Sequence, residues 1–294
     1  MKSERIFLIA VLLSMFVWGM SWSSAKMLSV YGSPEAIAFI RFSCTSLALL
    51  PIMYFTKNSI KVEPKGYGYV FGAGFFMFLY ALCFFKGVQV GLPGAGGVLV
   101  TTMNPLFAFI VGLVISKIVP RKIELLGIAI GVIAGVFLLK VWTRSDAIFS
   151  FGNSYFLVGA FVWSIMSKFA SQANRFGNAI SFNFWLHLVS LVGLGILVDF
   201  QEVIAILENA DTKFSWNMLY FSVINSAMAT TCYLFATAKI GAEKASTYIF
   251  IVPSAAAIGA WIFHGEVILW HTVVGGFLGI LAVFIINRNQ KINT

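Results

Sequence analysis

Charge is what this chain has least of. Asp, Glu, Lys and Arg make up 11% of its 294 residues, where a soluble domain carries about 25%, so an ordinary water-facing surface is excluded. Cysteine is scarce too: Cys44, Cys83 and Cys232 are odd in number, lie in apolar segments and form no CxxC. They offer neither a disulfide framework nor a thiolate metal site. The three histidines, His187, His264 and His271, show no HxxxH spacing, so no metal is expected. No GxSxG occurs, and no motif calls for a cofactor.

What is abundant is apolar surface. The chain is 60% hydrophobic with thirty Phe and eight Trp, and its mean hydropathy is +0.91. A membrane span needs roughly 20 apolar residues to cross a hydrocarbon core about 30 Å thick. Ten segments meet that need: 6–26, 34–56, 67–87, 94–116, 123–142, 153–172, 179–198, 216–238, 243–263 and 269–287. Lipid offers no partner to an irregular backbone, so all ten are expected to be helices. The expected fold class is an all-α membrane protein of ten transmembrane helices, its main surroundings the lipid bilayer. The opening "MKSERIFLIAVLLSMFVWGMSWSSA" imitates a signal peptide, but its place in the repeat described below predicts a retained helix.

A net charge of +9 in a soluble chain suggests nucleic acid. Here the bases sit in short loops, and orientation in the membrane is the better reading, with no nucleic acid partner. Of twenty Lys and Arg, fourteen fall on the face that receives the termini and the loops after spans 2, 4, 6 and 8. Five fall on the other face (Lys26, Lys86, Lys140, Arg144 and Lys213), and Arg41 lies inside a span. The positive-inside rule then puts both termini in the cytoplasm.

The chain also repeats itself. Trp18 and Trp163 are 145 residues apart, as are Gly32 and Gly177, and Phe39 and Phe184. Gly91 and Gly241 are 150 apart; Pro105 and Pro253, Gly127 and Gly275, and Gly131 and Gly279 are each 148 apart. The halves are residues 1–145 and 146–294, with five spans each. An odd number of spans makes the second half enter from the opposite face, which is the inverted repeat of secondary transporters.

Several short motifs fall along this frame. Helix 1 carries "WGMSWSSAK", helix 2 "PEAIAFIRF" and helix 4 "GGVLVTTMNPLF". Helix 9 answers with "AEKASTYIFIVPSAAAIGAWIFHGE", and helices 5 and 10 carry "GIAIGVIAG" and "GGFLGILAV". In order and spacing the chain resembles the EamA-type ten-helix exporters of the drug/metabolite transporter superfamily over almost its whole length. The resemblance implies the fold and the transport of a small-molecule substrate, not the cargo. The expectation is a bacterial cytoplasmic (inner) membrane protein that exports a metabolite, amino acid or drug-like compound by alternating access, with a metabolite importer as the alternative. It departs from internal symmetry in one place: "SKIVPRK" stands in the first half where "FHGEVIL" stands in the second, so the acid Glu266 occurs once.

The candidate site follows from polar residues at membrane depth. Pro105 and Pro253 occupy matched places, as expected of paired interrupted helices around a cavity. The carbonyls that a proline frees call for partners such as Thr101, Thr102 or Asn104. Arg41 is too deep in helix 2 to be a flank. At about 2.5–3.5 kcal/mol for a central Arg, it is expected to face a cavity, hold a substrate carboxylate or pair with Glu35 or Glu266 as a gate. Ser14, Trp18, Ser21 and Trp22 share one helical face, and Trp163, Ser167 and Lys168 sit on helix 6, with Lys168 near its end. His187 lies mid-helix, where a proton-coupling group or a satisfied core histidine is expected. Tyr80, Asn225 and Tyr248 complete the set. The acids lie only at helix ends, in loops or near termini, which speaks against a central carboxylate relay. The glycines of helix 5 form a GxxxGxxxG face suited to close packing, within the chain or between subunits. An intramembrane hydrolase built on Ser21 and His187 is the rival from another class, as is a non-transporting receptor; the expectation is no enzyme.

Overall fold

The computed structural model describes residues 2–91, 93–117, 119–143, 151–264, 267 and 269–287. Among them there is no strand, and helices account for nearly all of these residues. The first five long helices are α1 (Lys2–Leu28), α2 (Pro34–Phe55), α3 (Tyr67–Val90), α4 (Pro93–Ser116) and α5 (Lys122–Leu139). Then come α6 (Phe151–Ala170) and α7 (Ala179–Leu197), a surface helix Phe200–Glu208, and α8 over Thr212–Ile240. Next, Ala242–Thr247, Tyr248–Ile251 and Val252–His264 run on as α9, and Trp270–Asn287 is α10.

Eight of these helices are long and apolar enough to cross a membrane. The two expected spans outside that set are α6 and α9, and each has a reason. Asn153, Ser164, Ser167 and Lys168 dilute the 20 residues of α6, while a 3₁₀ turn divides α9 and leaves its last piece 13 residues long.

Local chemistry sets the boundaries. Ser33 caps α2 by accepting from the Ala36 N–H, with Pro34 at the first helical position, where its missing donor costs nothing. Asn178 caps α7 by accepting from the Ser181 N–H at 2.9 Å, and Asp211 caps α8 by accepting from the Phe214 N–H at 2.6 Å. Gly241, at φ +86°, turns the chain between α8 and α9 in a conformation that a side chain resists.

Two helices depart from α geometry where they cross the interior. Residues Tyr220–Ala229 of α8 form a π-helical stretch. A π turn misaligns backbone partners, and here neighbours supply them. Thr45 Oγ1 donates to the Ser222 carbonyl at 3.2 Å, and Asn183 Nδ2 donates to the carbonyls of Ser226 and Ala227 at 2.9 and 3.2 Å. In α9 the 3₁₀ turn Tyr248–Ile251 immediately precedes Pro253, whereas α4 continues as one α-helix through Pro105.

The packing pairs off under the exchange of α1–α5 with α6–α10. α3 packs on α6 as α1 packs on α8, α4 on α6 as α1 on α9, and α3 on α7 as α2 on α8. The pairs α2–α7 and α5–α10 are their own counterparts. In the α5–α10 seam a Cβ on Gly127 would lie 2.3 Å from Ile286 Cγ1, and one on Gly275 would lie 2.6 Å from Leu138 Cγ. Leu138 and Ile286 are 148 residues apart, the offset that also relates the two glycines. The small-residue face of helix 5 is thus spent inside the chain.

The two ends of the bundle are tied differently. At the end carrying the N-terminus, the α2–α3 and α6–α7 connections meet through neutral hydrogen bonds: Glu63 N–H to the Phe176 carbonyl, Ser181 Oγ to the Ser59 carbonyl and Trp185 Nε1 to the Ile60 carbonyl, each 2.8 Å. At the far end carboxylates take over. Glu202 accepts from the Ser33 N–H and Oγ at 2.6 Å each, and Asp211 accepts from the Tyr31 hydroxyl at 2.9 Å.

Candidate functional site

A cavity lies where the crossing helices meet. α1 contributes Trp18, Ser21 and Trp22; α2 contributes Arg41; α3 contributes Tyr80 and Phe84; α4 contributes Val100, Thr101 and Asn104. Trp163 of α6, then Phe221, Asn225 and Thr230 of α8, and Ile249 and Val252 of α9 close it. Its free volume is about 50 Å³, room for a few waters at about 10–15 Å³ each, so the walls are drawn in.

Arg41 is 4% exposed. Its Nε and Nη2 donate to Ser226 Oγ at 2.9 and 2.7 Å, and its guanidinium carbon lies 3.8 Å from the centroid of the Phe221 ring. Charge-assisted hydrogen bonds contribute about 1.5–3 kcal/mol and a buried cation–π contact up to about 2. Together these offset the cost of placing the charge at membrane depth. No ion pair among the described residues involves Arg41: Glu35 is not its partner, and Glu266 lies outside the described residues. Nη1 makes no hydrogen bond to a described residue. Nearby, Asn104 Oδ1 and Asn225 Oδ1 are buried acceptors with no hydrogen-bond partner among the described residues, so a spare cationic donor and two idle amide oxygens belong to one cavity.

Aromatic rings form the rest of the wall. Trp18 and Trp163, 145 residues apart in sequence, meet edge to face with centroids 5.2 Å apart. Tyr80 lies 4.7 Å from Trp163, and Tyr233 lies 4.9 Å from Trp18. Tyr233 is in turn held by Ser167 through a 3.0 Å hydroxyl–hydroxyl contact. Beyond it Lys168 forms an ion pair with Glu243, so this lysine is engaged inside the bundle rather than reaching for the surface.

Nine of the expected site residues thus come together: Trp18, Ser21, Trp22, Arg41, Tyr80, Thr101, Asn104, Trp163 and Asn225. The others go elsewhere. Ser14, about one turn before Trp18 on α1, donates to the Ala10 carbonyl. Thr102 faces the other side of α4, where it meets Gly135 and a separate apolar cavity. Pro105 and Pro253 are buried but do not line the cavity; the residues just before them do. Thr101 bonds the Gly97 carbonyl rather than one freed by Pro105, and Asn104 donates to the Ala160 carbonyl of α6. Tyr248 is packed in the core beside the cavity residue Ile249. His187 is fully buried, with Nδ1 2.9 Å from the Asn183 carbonyl and its ring against Phe42. Ser21 Oγ donates to the Trp18 carbonyl, so Ser21 and His187 are not joined as a nucleophile and its base.

Sequence reasoning missed Phe84, Phe221, Thr230 and the supporting Ser226 and Tyr233. The two Phe carry no signal among thirty. Ser226 and Thr230 had one, as hydroxyls inside an apolar segment beside Asn225.

A helical membrane protein whose helices cross around a polar, aromatic cavity has the build of a carrier of small molecules. The chain belongs to the EamA-like transporter family, whose model matches it twice, over residues 5–140 and 150–288. It is similar to a chloroplastic WAT1-related protein of Arabidopsis thaliana, 22% identical over 92% of this chain and 67% of the relative. An uncharacterized transporter of Archaeoglobus fulgidus is 24% identical over 99% of both chains. The uncharacterized transporter YdfC of Bacillus subtilis is 25% identical over 88% of this chain and 85% of its own. A solved crystal structure at 12% identity superposes with a TM-score of 0.71 over 96% of this chain and 98% of the other, and shares the fold.

Proposed function

We propose that this membrane transporter exports a small metabolite by alternating access, with Arg41 as the anchor of its cargo. Ten helices in two inverted five-helix halves, residues 1–145 and 146–294, would then rock about the central cavity, with both termini in the cytoplasm of a bacterial cell. The double match of the family model and the paired helix contacts support the repeat. The placement of Lys and Arg supports the orientation.

The observation that carries the reading is a buried guanidinium with no anionic partner among the described residues. A buried cation with a free donor, two idle amide acceptors and aromatic walls suits a molecule with an anionic group, an N–H-bearing group and an apolar body, such as an amino acid. The present cavity is too small for that cargo, and the connections at both ends are tied, so loading requires the walls to part.

The test is metabolite profiling of the medium around cells overproducing the protein, with an Arg41→Ala control. Selective accumulation of one compound class, lost in the control, is the expected result. Equal profiles with both proteins in the membrane, together with no Arg41-dependent flux in reconstituted vesicles, would overturn it.

A further inference from the structure

A third cavity, of about 460 Å³, opens at the end of the bundle that carries the N-terminus. It lies between the first turns of α1, the last turns of α8 and the start of α7, with Asn58 of the α2–α3 connection beside it. Its walls are mostly apolar, with Phe7, Ala10 and Phe235 among them. Its one charge among the described lining residues is Lys239, whose Nζ lies 5.3 Å from the Phe7 ring centroid and 5.8 Å from that of Phe235. No acid among the described residues pairs with this lysine. Asn178, the cap of α7, also lines the cavity, and its backbone N–H has no partner among the described residues.

The other half of the chain says what such a place binds. Ser33 stands 145 residues before Asn178, and Gln89 stands 150 before Lys239. At the far end Gln89 Nε2 reaches the Gly32 carbonyl at 2.9 Å, and the Ser33 N–H is taken by the Glu202 carboxylate. An anion therefore fills that copy, as expected at a helix start. The residue 145 before Glu202 is Lys57, a base. One copy of the site has a built-in carboxylate; the other has a lysine at its wall, an unpartnered N–H and open space.

We propose that this cavity holds the phosphate of an acidic glycerophospholipid, with Lys239 and the Asn178 N–H as its ligands. The apolar walls and the exposed face of α1, where Ile6, Ile9 and Leu13 are 61%, 55% and 59% exposed, receive the acyl chains. A free phosphate has no use for those walls, and a zwitterionic headgroup brings a cation to a pocket with no described acid to meet it.

Native mass spectrometry of the purified full chain with equal phosphatidylglycerol and phosphatidylcholine of matched chains tests this. One basic residue and a helix N-terminus together predict a preference for phosphatidylglycerol of about tenfold. Lys239→Gln, which installs the far-end residue, cuts that preference to about twofold. Asn178→Asp keeps a capping oxygen but brings a negative charge to the cavity wall, and abolishes the preference while the thermal midpoint is kept. Inorganic phosphate in large excess leaves lipid retention unchanged. Equal preference in the wild type and both variants, or displacement of lipid by inorganic phosphate, would overturn the proposal.

Discussion

The α5–α10 seam and the central cavity are both built from duplicated positions, yet they use the duplication in opposite ways. In the seam the same chemistry appears twice: Gly127 takes Ile286 as Gly275 takes Leu138. In the cavity, apart from the Trp18–Trp163 pair, the positions are duplicated and the chemistry is not. Thr101 and Asn104 on α4 answer to Ile249 and Val252 on α9 at the 148-residue offset, and Tyr80 answers to Thr230 at 150. All six line the cavity. Arg41 answers to Leu186, which is buried away from it. A seam has only to close, so symmetric filling suffices. A cavity with one polar wall and one apolar wall holds its ligand in a single orientation, and strict symmetry would forfeit that.

The sharpest break in this comparison is to fill the seam. A Cβ at Gly275 would already sit 2.9 Å from the Ala134 carbonyl oxygen, so Gly275→Leu is expected to cost at least about 1–3 kcal/mol. The readout is a lowered thermal midpoint or loss of the monodisperse peak in detergent. Next comes the cavity's charge. Arg41→Ala is expected to cut flux in proteoliposomes about tenfold to a hundredfold, the equivalent of a charge-assisted hydrogen bond of about 1.5–3 kcal/mol. The midpoint should stay close to wild type, because removing the charge also removes its desolvation cost.

Making the polar wall resemble the apolar one is a milder change. Asn104→Val removes the bond to the Ala160 carbonyl, but Ser164 Oγ still donates to that oxygen at 2.9 Å. Folding should therefore survive while cargo affinity, read by competition binding, falls about fivefold, as for one neutral hydrogen bond of about 1 kcal/mol.

The smallest effect belongs to the far-end tie. The Phe214 N–H and then the Tyr31 hydroxyl hold the Asp211 carboxyl below its ordinary pKa, and the same contact raises that of Tyr31. A depressed carboxyl stabilises the fold above its unfolded pKa and loses that contribution as the pH falls through the folded value. The midpoint of Asp211→Asn should thus lie slightly below wild type at neutral pH, with the gap closing only in acid beyond the usual carboxylate range. A gap that persists there would mean the carboxylate charge is not what holds Tyr31.

Hydropathy carried most of the fold, because lipid allows little but helices and glycine spacing marked the seam. Arg41 and the Trp18–Trp163 pair were legible for physical reasons too, one by its depth and the other by its offset. Phe84 and Phe221 were not, since no period tells a cavity phenylalanine from one facing lipid. The fates of the two prolines were also hidden: α4 absorbs Pro105 and α9 tightens before Pro253, a choice made by neighbours rather than by the dipeptide.

The wide turns of α8 have a consequence of another kind. A π turn stores a residue more than an α turn, so the stretch 220–229 carries slack in its length. Deleting one residue there would let an α turn replace a π turn with the two sides of α8 close to their present relative rotation, because the extra residue is held within the wide turn. Such a deletion would shift the residues held inside the stretch, among them Asn225 and the Arg41 partner Ser226, while both ends of α8 kept their facing. In this part of the wall, the shape of the cavity depends on a count of residues as much as on their identity.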